Sequence, residues 1–177
     1  MTRHTNAVSI LMYHKVGYPC SAPRDAFLNI PHEAFRRQMQ ALARLGYQAR
    51  TFAEVADAHA SGRRLPRRTC VITFDDGYRC VGESAVPILA EFGWPATVFV
   101  VSDCVGATNA WDRTLGHPEL PLMGWEELRQ LSGGGWEIGG HTRTHRHLGA
   151  LTDGEAYQEI ADGKAEAEAR MGITLHT

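Results

Sequence analysis

One stretch constrains the rest. In Thr69-Cys70-Val71-Ile72-Thr73-Phe74-Asp75-Asp76-Gly77-Tyr78 an apolar, β-branched run passes directly into two adjacent carboxylates and a glycine. Val71, Ile72 and Phe74 read as a strand buried on both faces, the type found in a parallel sheet covered by helices. The two acids then lie at the carboxyl end of that strand. In folds that alternate strands and helices, the loops after the strands converge at that end and carry the chemistry. Adjacent side chains leave a strand end in different directions, so Asp75 and Asp76 can take different partners and different tasks. Gly77 allows a backbone turn that a Cβ would resist. Asp-Asp-Gly is also an ordinary turn whose acids bond their own backbone or cap a helix, so a second cluster is needed to indicate a site.

That cluster is Gly139-Gly140-His141-Thr142-Arg143-Thr144-His145, which follows the short apolar stretch Trp136-Glu137-Ile138. A spacing of four puts both histidines on one side of a helical turn, close enough to bind one ion. Alone, such a pair is equally two solvated histidines. With Asp76 it completes a set of two imidazoles and one carboxylate, each at the end of a predicted strand. Three protein ligands leave a position for water, the mark of a catalytic rather than a structural zinc site.

Thr73-Phe74-Asp75-Asp76-Gly77 and His141-Thr142-Arg143-Thr144-His145 resemble the first two motifs of the polysaccharide deacetylases, the family-four carbohydrate esterases with NodB homology. The resemblance extends to Leu11-Met12-Tyr13-His14, to Trp125-Glu126-Glu127-Leu128 and to Glu137-Ile138-Gly139, so it spans most of the chain. It implies an irregular, somewhat open (β/α) barrel, and hydrolysis of an N-acetyl group on a sugar. It also implies that Asp75 is the general base and that Asp76, His141 and His145 bind a divalent metal, with zinc the default and other divalent ions suited to the same ligands. Two of the family's features are missing: an Arg-x-Pro-Tyr-type motif that orients substrate, and a late Leu-x-His that supplies the general acid. Leu175-His176 falls too early in the chain for the latter. His14, at another strand end on the same face, is the alternative acid.

Length and charge narrow the partners. With 177 residues, 44% of them hydrophobic, the chain suits a single deacetylase-like catalytic domain over 1–177, one that stops before the family fold is finished. A net charge of -2 gives no footprint for nucleic acid or an anionic membrane, and no stretch reaches membrane-span length. The basic run Arg63-Arg64-Leu65-Pro66-Arg67-Arg68 reads as a solvated loop. Cys20, Cys70, Cys80 and Cys104 show no Cys-x-x-Cys spacing, and Cys70 falls in the buried strand as a small hydrophobe. Residues 1–6 lack the apolar stretch of a signal peptide, so the expectation is a cytoplasmic protein, or an exported one if a leader is missing.

Along the chain, strand and helix patterns alternate. Ala7 to Tyr13 is apolar enough for a first buried strand, and Cys20 to Asn29 reads as loop. A helix follows Pro31, with Phe35, Met39, Leu42 and Leu45 on one stripe and Gly46 as its stop. Thr51-Phe52-Ala53-Glu54 has the spacing of a capping box and opens a helix to about Ala60. After Tyr78 the pattern gives one helix with Ala85, Ile88, Leu89 and Phe92 inward, with Pro87 in its first turn or kinking it, and then a strand over 95–101. Residues 102–122 show no period and read as a long surface loop over the active face, where Trp111 either lines a sugar groove or packs within the loop. A short helix covers Trp125 to Leu131, and a strand Trp136 to Ile138. A second capping box at Thr152 opens a helix with Tyr157, Ile160 and Ala167 on its inner side, and Ile173-Thr174-Leu175 begins a further strand.

The expected class is α/β, an irregular and incomplete (β/α) barrel with a mostly parallel sheet. Three functions share the metal constellation: removal of N-acetyl groups from an N-acetylated polysaccharide, hydrolysis of small amide or imide C–N bonds, and carbohydrate binding by an inactive homologue that keeps its metal. A two-histidine, one-carboxylate iron oxygenase is the remotest, since no oxidant cosubstrate site is visible.

Overall fold

The computed structural model describes residues 7–20, 26 and 28–177, so the loop predicted over 20–29 lies mostly outside the described residues. In chain order the strands are β1 (Ser9–Tyr13), β2 (Lys15–Val16), β3 (Asn29–Ile30), β4 (Gln48–Arg50), β5 (Thr69–Phe74), β6 (Thr97–Val100) and β7 (Glu137–Gly140). The α-helices are α1 (His32–Arg44), α2 (Phe52–Ala60), α3 (Val86–Ala90), α4 (Trp125–Gly133) and α5 (Asp153–Met171).

β5 is buried along all six residues, as its unbroken apolar run predicts. β1 pairs in parallel along one side of it, from Ser9 opposite Cys70 to Tyr13 opposite Phe74. The other side is shared. β4 takes its first half, with Gln48 opposite Thr69 and Arg50 opposite Val71, and β6 takes its end, with Thr73 opposite Thr97 and Phe74 opposite Val98. β7 continues the sheet beyond β6, and β2 and β3 form a separate parallel pair. The carboxyl ends of β1, β5, β6 and β7 thus meet along one rim. Among the described residues no ladder joins β7 back to β1, so the sheet stays an open (β/α) barrel with parallel pairing in every ladder, the class the sequence predicts.

The helices form where the local chemistry predicts. In α1, Phe35 and Met39 are fully buried, and Gly46 takes a left-handed backbone after its end. At α2 the Thr51 hydroxyl accepts from the Glu54 N–H at 3.2 Å, and the Glu54 carboxylate accepts from the Thr51 N–H at 2.8 Å. The core beneath the rim is aromatic: Tyr13 meets Phe35 edge-on at 5.1 Å, and Trp136 stacks on Phe74 at 5.8 Å.

Four expectations are corrected. The single helix after Tyr78 is instead a π-helical turn, Val81–Ala85, running into the short α3. Pro87 has no N–H to continue an α-helical ladder, so the chain widens ahead of it. The loop 102–122 is not simply a surface loop. It carries two 3-10 turns, Ser102–Cys104 and Ala110–Leu115, and is tied by the buried Asn109, whose side chain accepts from the Leu120 N–H at 2.6 Å and donates to Asp112 at 2.9 Å. Of the predicted inner face of α5 Ala167 is buried, but Tyr157 is 73% exposed and Ile160 53% exposed, and the buried row is Glu159, Gly163, Ala167 and Met171. No strand forms at Ile173–Leu175, because the Leu175 N–H bonds the Glu168 side chain at 2.9 Å and its carbonyl accepts from Lys164.

Candidate metal centre

The rim gathers the residues singled out by sequence. Asp75 follows β5 and its N–H still bonds the Tyr13 carbonyl of β1 at 2.9 Å, so its position is fixed by the sheet. Asp76 and Gly77 then both adopt left-handed backbone, with φ of 71° and 75°. Left-handed turns are open to glycine and tolerable for aspartate, and two in succession swing the Asp76 side chain away from that of Asp75. On β7 the ladder carries one residue past the strand, with the His141 N–H bonding the Val100 carbonyl at 2.9 Å. Thr142 and His145 are left-handed in turn, at 66° and 62°. The histidines therefore converge through two sharp turns, not along the helical turn that their spacing suggests. Non-glycine residues in this region carry strain that the surroundings must hold, and such strain collects at functional sites.

Asp76, His141 and His145 come together. Asp76 Oδ1 lies 3.4 Å from His141 Nε2 and 3.3 Å from His145 Nε2, and one ligand atom from each residue falls within 4.8 Å of the others. Asp76 is 4% exposed, yet among the described residues its Oδ1 has no hydrogen-bond partner. A buried carboxylate oxygen in that state is costly unless something positive completes it. Tetrahedral zinc with bonds near 2.0–2.1 Å separates its ligand atoms by about 3.3–3.4 Å. The spacing, the donor set and the orphaned oxygen all fit a divalent ion.

The electrostatics separate the two acids. Burial raises the Asp76 carboxyl, but the close His145 ring, with the charges of His14 and His141, more than offsets this and leaves it below its ordinary value. Asp75 ends above its ordinary value: burial raises it most, His14 and His145 oppose, and the neighbouring Asp76 charge adds to the rise. Burial lowers His141, with Asp76 opposing, whereas for His145 the contact with Asp76 outweighs burial and raises it. Two neighbouring carboxyls pushed in opposite directions suit one ligand and one proton acceptor.

His14 stands beside this centre, its Nε2 3.9 Å from Asp75 Oδ2, close enough for electrostatic pairing but too long for a direct hydrogen bond. Trp111 is half-buried and its ring lies 4.6 Å from that of His145, so one indole face is taken by the centre itself. Tyr78, fully buried, donates to Asp112 at 3.4 Å behind the acids.

Sequence reasoning missed α5 as the platform of the histidine loop. A Cβ on Gly163 would sit 2.7 Å from the Thr142 carbonyl carbon and 2.8 Å from the Arg143 nitrogen. The spacing of Glu159, Gly163, Ala167 and Met171 at four-residue intervals was the available signal, hidden by the larger Tyr157 and Ile160. Alanine in place of a helical glycine ordinarily gains up to about 1 kcal/mol. Gly163→Ala is expected to lose about 1–3 kcal/mol in denaturant unfolding, because backbone must yield, and to weaken zinc binding. Gly154→Ala, on the same helix with nothing within 4 Å, supplies the opposite sign.

Residues 62–177 match the family model described as polysaccharide deacetylase. YxkH of Bacillus subtilis, which bears a polysaccharide deacetylase name, is 29% identical over 155 residues, covering 88% of this chain and 49% of that protein. The poly-beta-1,6-N-acetyl-D-glucosamine N-deacetylase of Escherichia coli is 35% identical over 91 residues, 51% of this chain and 13% of that protein. The chain thus spans about half, or less, of the length of these relatives. Among solved structures, the deacetylase PplD of Streptococcus pyogenes superposes with a TM-score of 0.76 at 20% identity, over 95% of this chain and 70% of that one. IcaB from Ammonifex degensii superposes with a TM-score of 0.75 at 23% identity, over 96% and 72%. At these identities the likeness is one of fold.

Proposed function

We propose that this chain, which belongs to the polysaccharide deacetylase family, is a metal-dependent hydrolase that removes N-acetyl groups from an N-acetylated polysaccharide or oligosaccharide. The observation that carries the reading is the buried, unpartnered Asp76 Oδ1 with the Nε2 atoms of His141 and His145 at 3.4 and 3.3 Å. These three residues would hold the ion. When bound, a divalent metal lowers the pKa of its water to roughly 7 and polarises the amide carbonyl.

The chain's own groups then account for the protons. Asp75, ionised and kept off the ligand set by its separate direction, takes a proton from the attacking water. The water oxygen bonds the acetyl carbon, the C–N bond breaks, and the electron pair leaves with the amine. His14, paired with Asp75 across 3.9 Å, donates the proton that the amine needs, giving acetate and a free amino sugar. The rim position of the loops after β1, β5 and β7 leaves the centre reachable by a polymer.

β-1,6-linked N-acetylglucosamine oligomers are the first substrate to try, given the relative named for that polymer. The expected result is acetate release with zinc, loss on chelation, and return on adding zinc back. Hydrolysis of small acetamides or cyclic imides with untouched oligomers would instead select the small-amide reading. Oligomer binding without hydrolysis of either would select the inactive homologue.

A further inference from the structure

Glu159 is a charged residue that α5 buries, 8% exposed, against the histidine loop. A buried carboxylate is tolerated only where donors meet it. Here two donors come from one residue, the Thr144 N–H at 2.9 Å and the Thr144 hydroxyl at 2.7 Å, and the Arg143 backbone adds to them. Thr144 immediately precedes His145, whose left-handed backbone needs support from its surroundings.

The rest of the loop is also held from the other side. The Ser102 and Asp103 N–H groups bond the carbonyls of Thr142 and Arg143 at 3.3 and 3.0 Å, and Arg143 Nε meets both Asp103 carboxylate oxygens at 3.1 Å. His141 is still in register with β6. The first histidine therefore belongs to the sheet, and the middle of the loop lies between residues 102–103 and α5, where Gly163 backs Thr142 and Arg143 and Asp162 faces Arg143 at 3.8 Å. The approach to the second histidine is met from α5 by Glu159.

We infer that Glu159 is a positioning residue of the metal centre, setting the path of Thr144 so that the His145 ring reaches Asp76. The inference rests on the metal-centre reading above. Residues that orient ligands from behind typically change metal affinity 10–100-fold when removed. Asp76 follows the sheet-bonded Asp75 and the His141 N–H keeps its bond to Val100, neither of which involves Glu159, so losing Glu159 loosens one ligand of three.

The test is a zinc competition titration on the full chain, paired with amide hydrogen exchange. Glu159→Ala is expected to weaken zinc by about 10–100-fold and to speed exchange at Thr144 and His145, with exchange along β6 unchanged. Glu159→Gln keeps an acceptor for the Thr144 N–H and should recover most of the affinity. Thr144→Val removes the hydroxyl bond and leaves the N–H bond, so it should weaken zinc less than Glu159→Ala, and its effect should not add to that of Glu159→Ala. Glu168→Ala, on the same helix but bonded to Leu175 and Lys164, is the control and should leave zinc affinity as it was.

A folded Glu159→Ala that binds zinc as tightly as the unaltered chain overturns the inference and leaves the metal centre standing. If Glu159→Ala does not fold, Glu159→Gln and Thr144→Val decide, and unchanged affinity in Thr144→Val overturns it. An unaltered chain that binds no zinc in the same titration removes the metal centre, and the inference with it.

Discussion

Asp75→Asn is expected to lower acetate release by about 10²–10⁴-fold, the usual contribution of a positioned proton acceptor, while zinc affinity stays within a few-fold. That loss corresponds to about 3–5 kcal/mol of barrier. The substitution keeps the shape of the side chain, and the bond from the residue-75 N–H to the Tyr13 carbonyl does not involve it. The amide cannot take a proton from water. It also removes a negative charge next to the Asp76 carboxylate, which leaves the ligand oxygen without a like-charged neighbour. Turnover under saturating zinc, measured beside a zinc competition titration, separates the two effects. Full activity in Asp75→Asn would transfer the base role to another group. Parallel loss of zinc would make Asp75 a ligand.

The parts of this molecule legible in its sequence are those fixed by neighbours in the chain. β5 is announced by its β-branched run, the box at Thr51 by two residues three apart, and the end of α5 by Gly172, which is left-handed as the stop requires. The identities at the centre were legible for the same reason, since strand ends mark where side chains gather. The path between His141 and His145 was not. Left-handed backbone at Thr142 and His145 runs against local preference and exists because Ser102, Asp103 and α5 hold the loop. Likewise Tyr157 and Ile160 look like core by hydrophobicity, but close approach of α5 to the loop backbone demands Gly163, and that requirement turns the helix so that Glu159 faces inward and both apolar side chains face out. Ile10 and Met12 of β1 are exposed although their apolar run predicts a buried strand, because among the described residues β1 is the outermost strand of the open sheet, a tertiary fact that no local pattern contains.

The second large effect is expected from His141→Ala, which should abolish both acetate release and the stabilisation that zinc confers. An ion that binds only the folded chain contributes about 2.7 kcal/mol at a concentration one hundred times its dissociation constant. For a chain of this size that is roughly a 5–10 °C rise in melting temperature. Removing the His141 ring leaves Asp76 and His145 as the ligand pair, and two protein ligands do not complete a zinc site of the catalytic type. In the absence of zinc the variant should melt close to the unaltered chain, because the His141 side chain is 31% exposed and its backbone bond to Val100 remains. The comparison of four melting curves, each protein with and without zinc, therefore isolates the ion from the fold. A zinc shift of equal size in His141→Ala would place the ion on another set of residues, and the role of Asp76 and His145 would have to be reassigned with it.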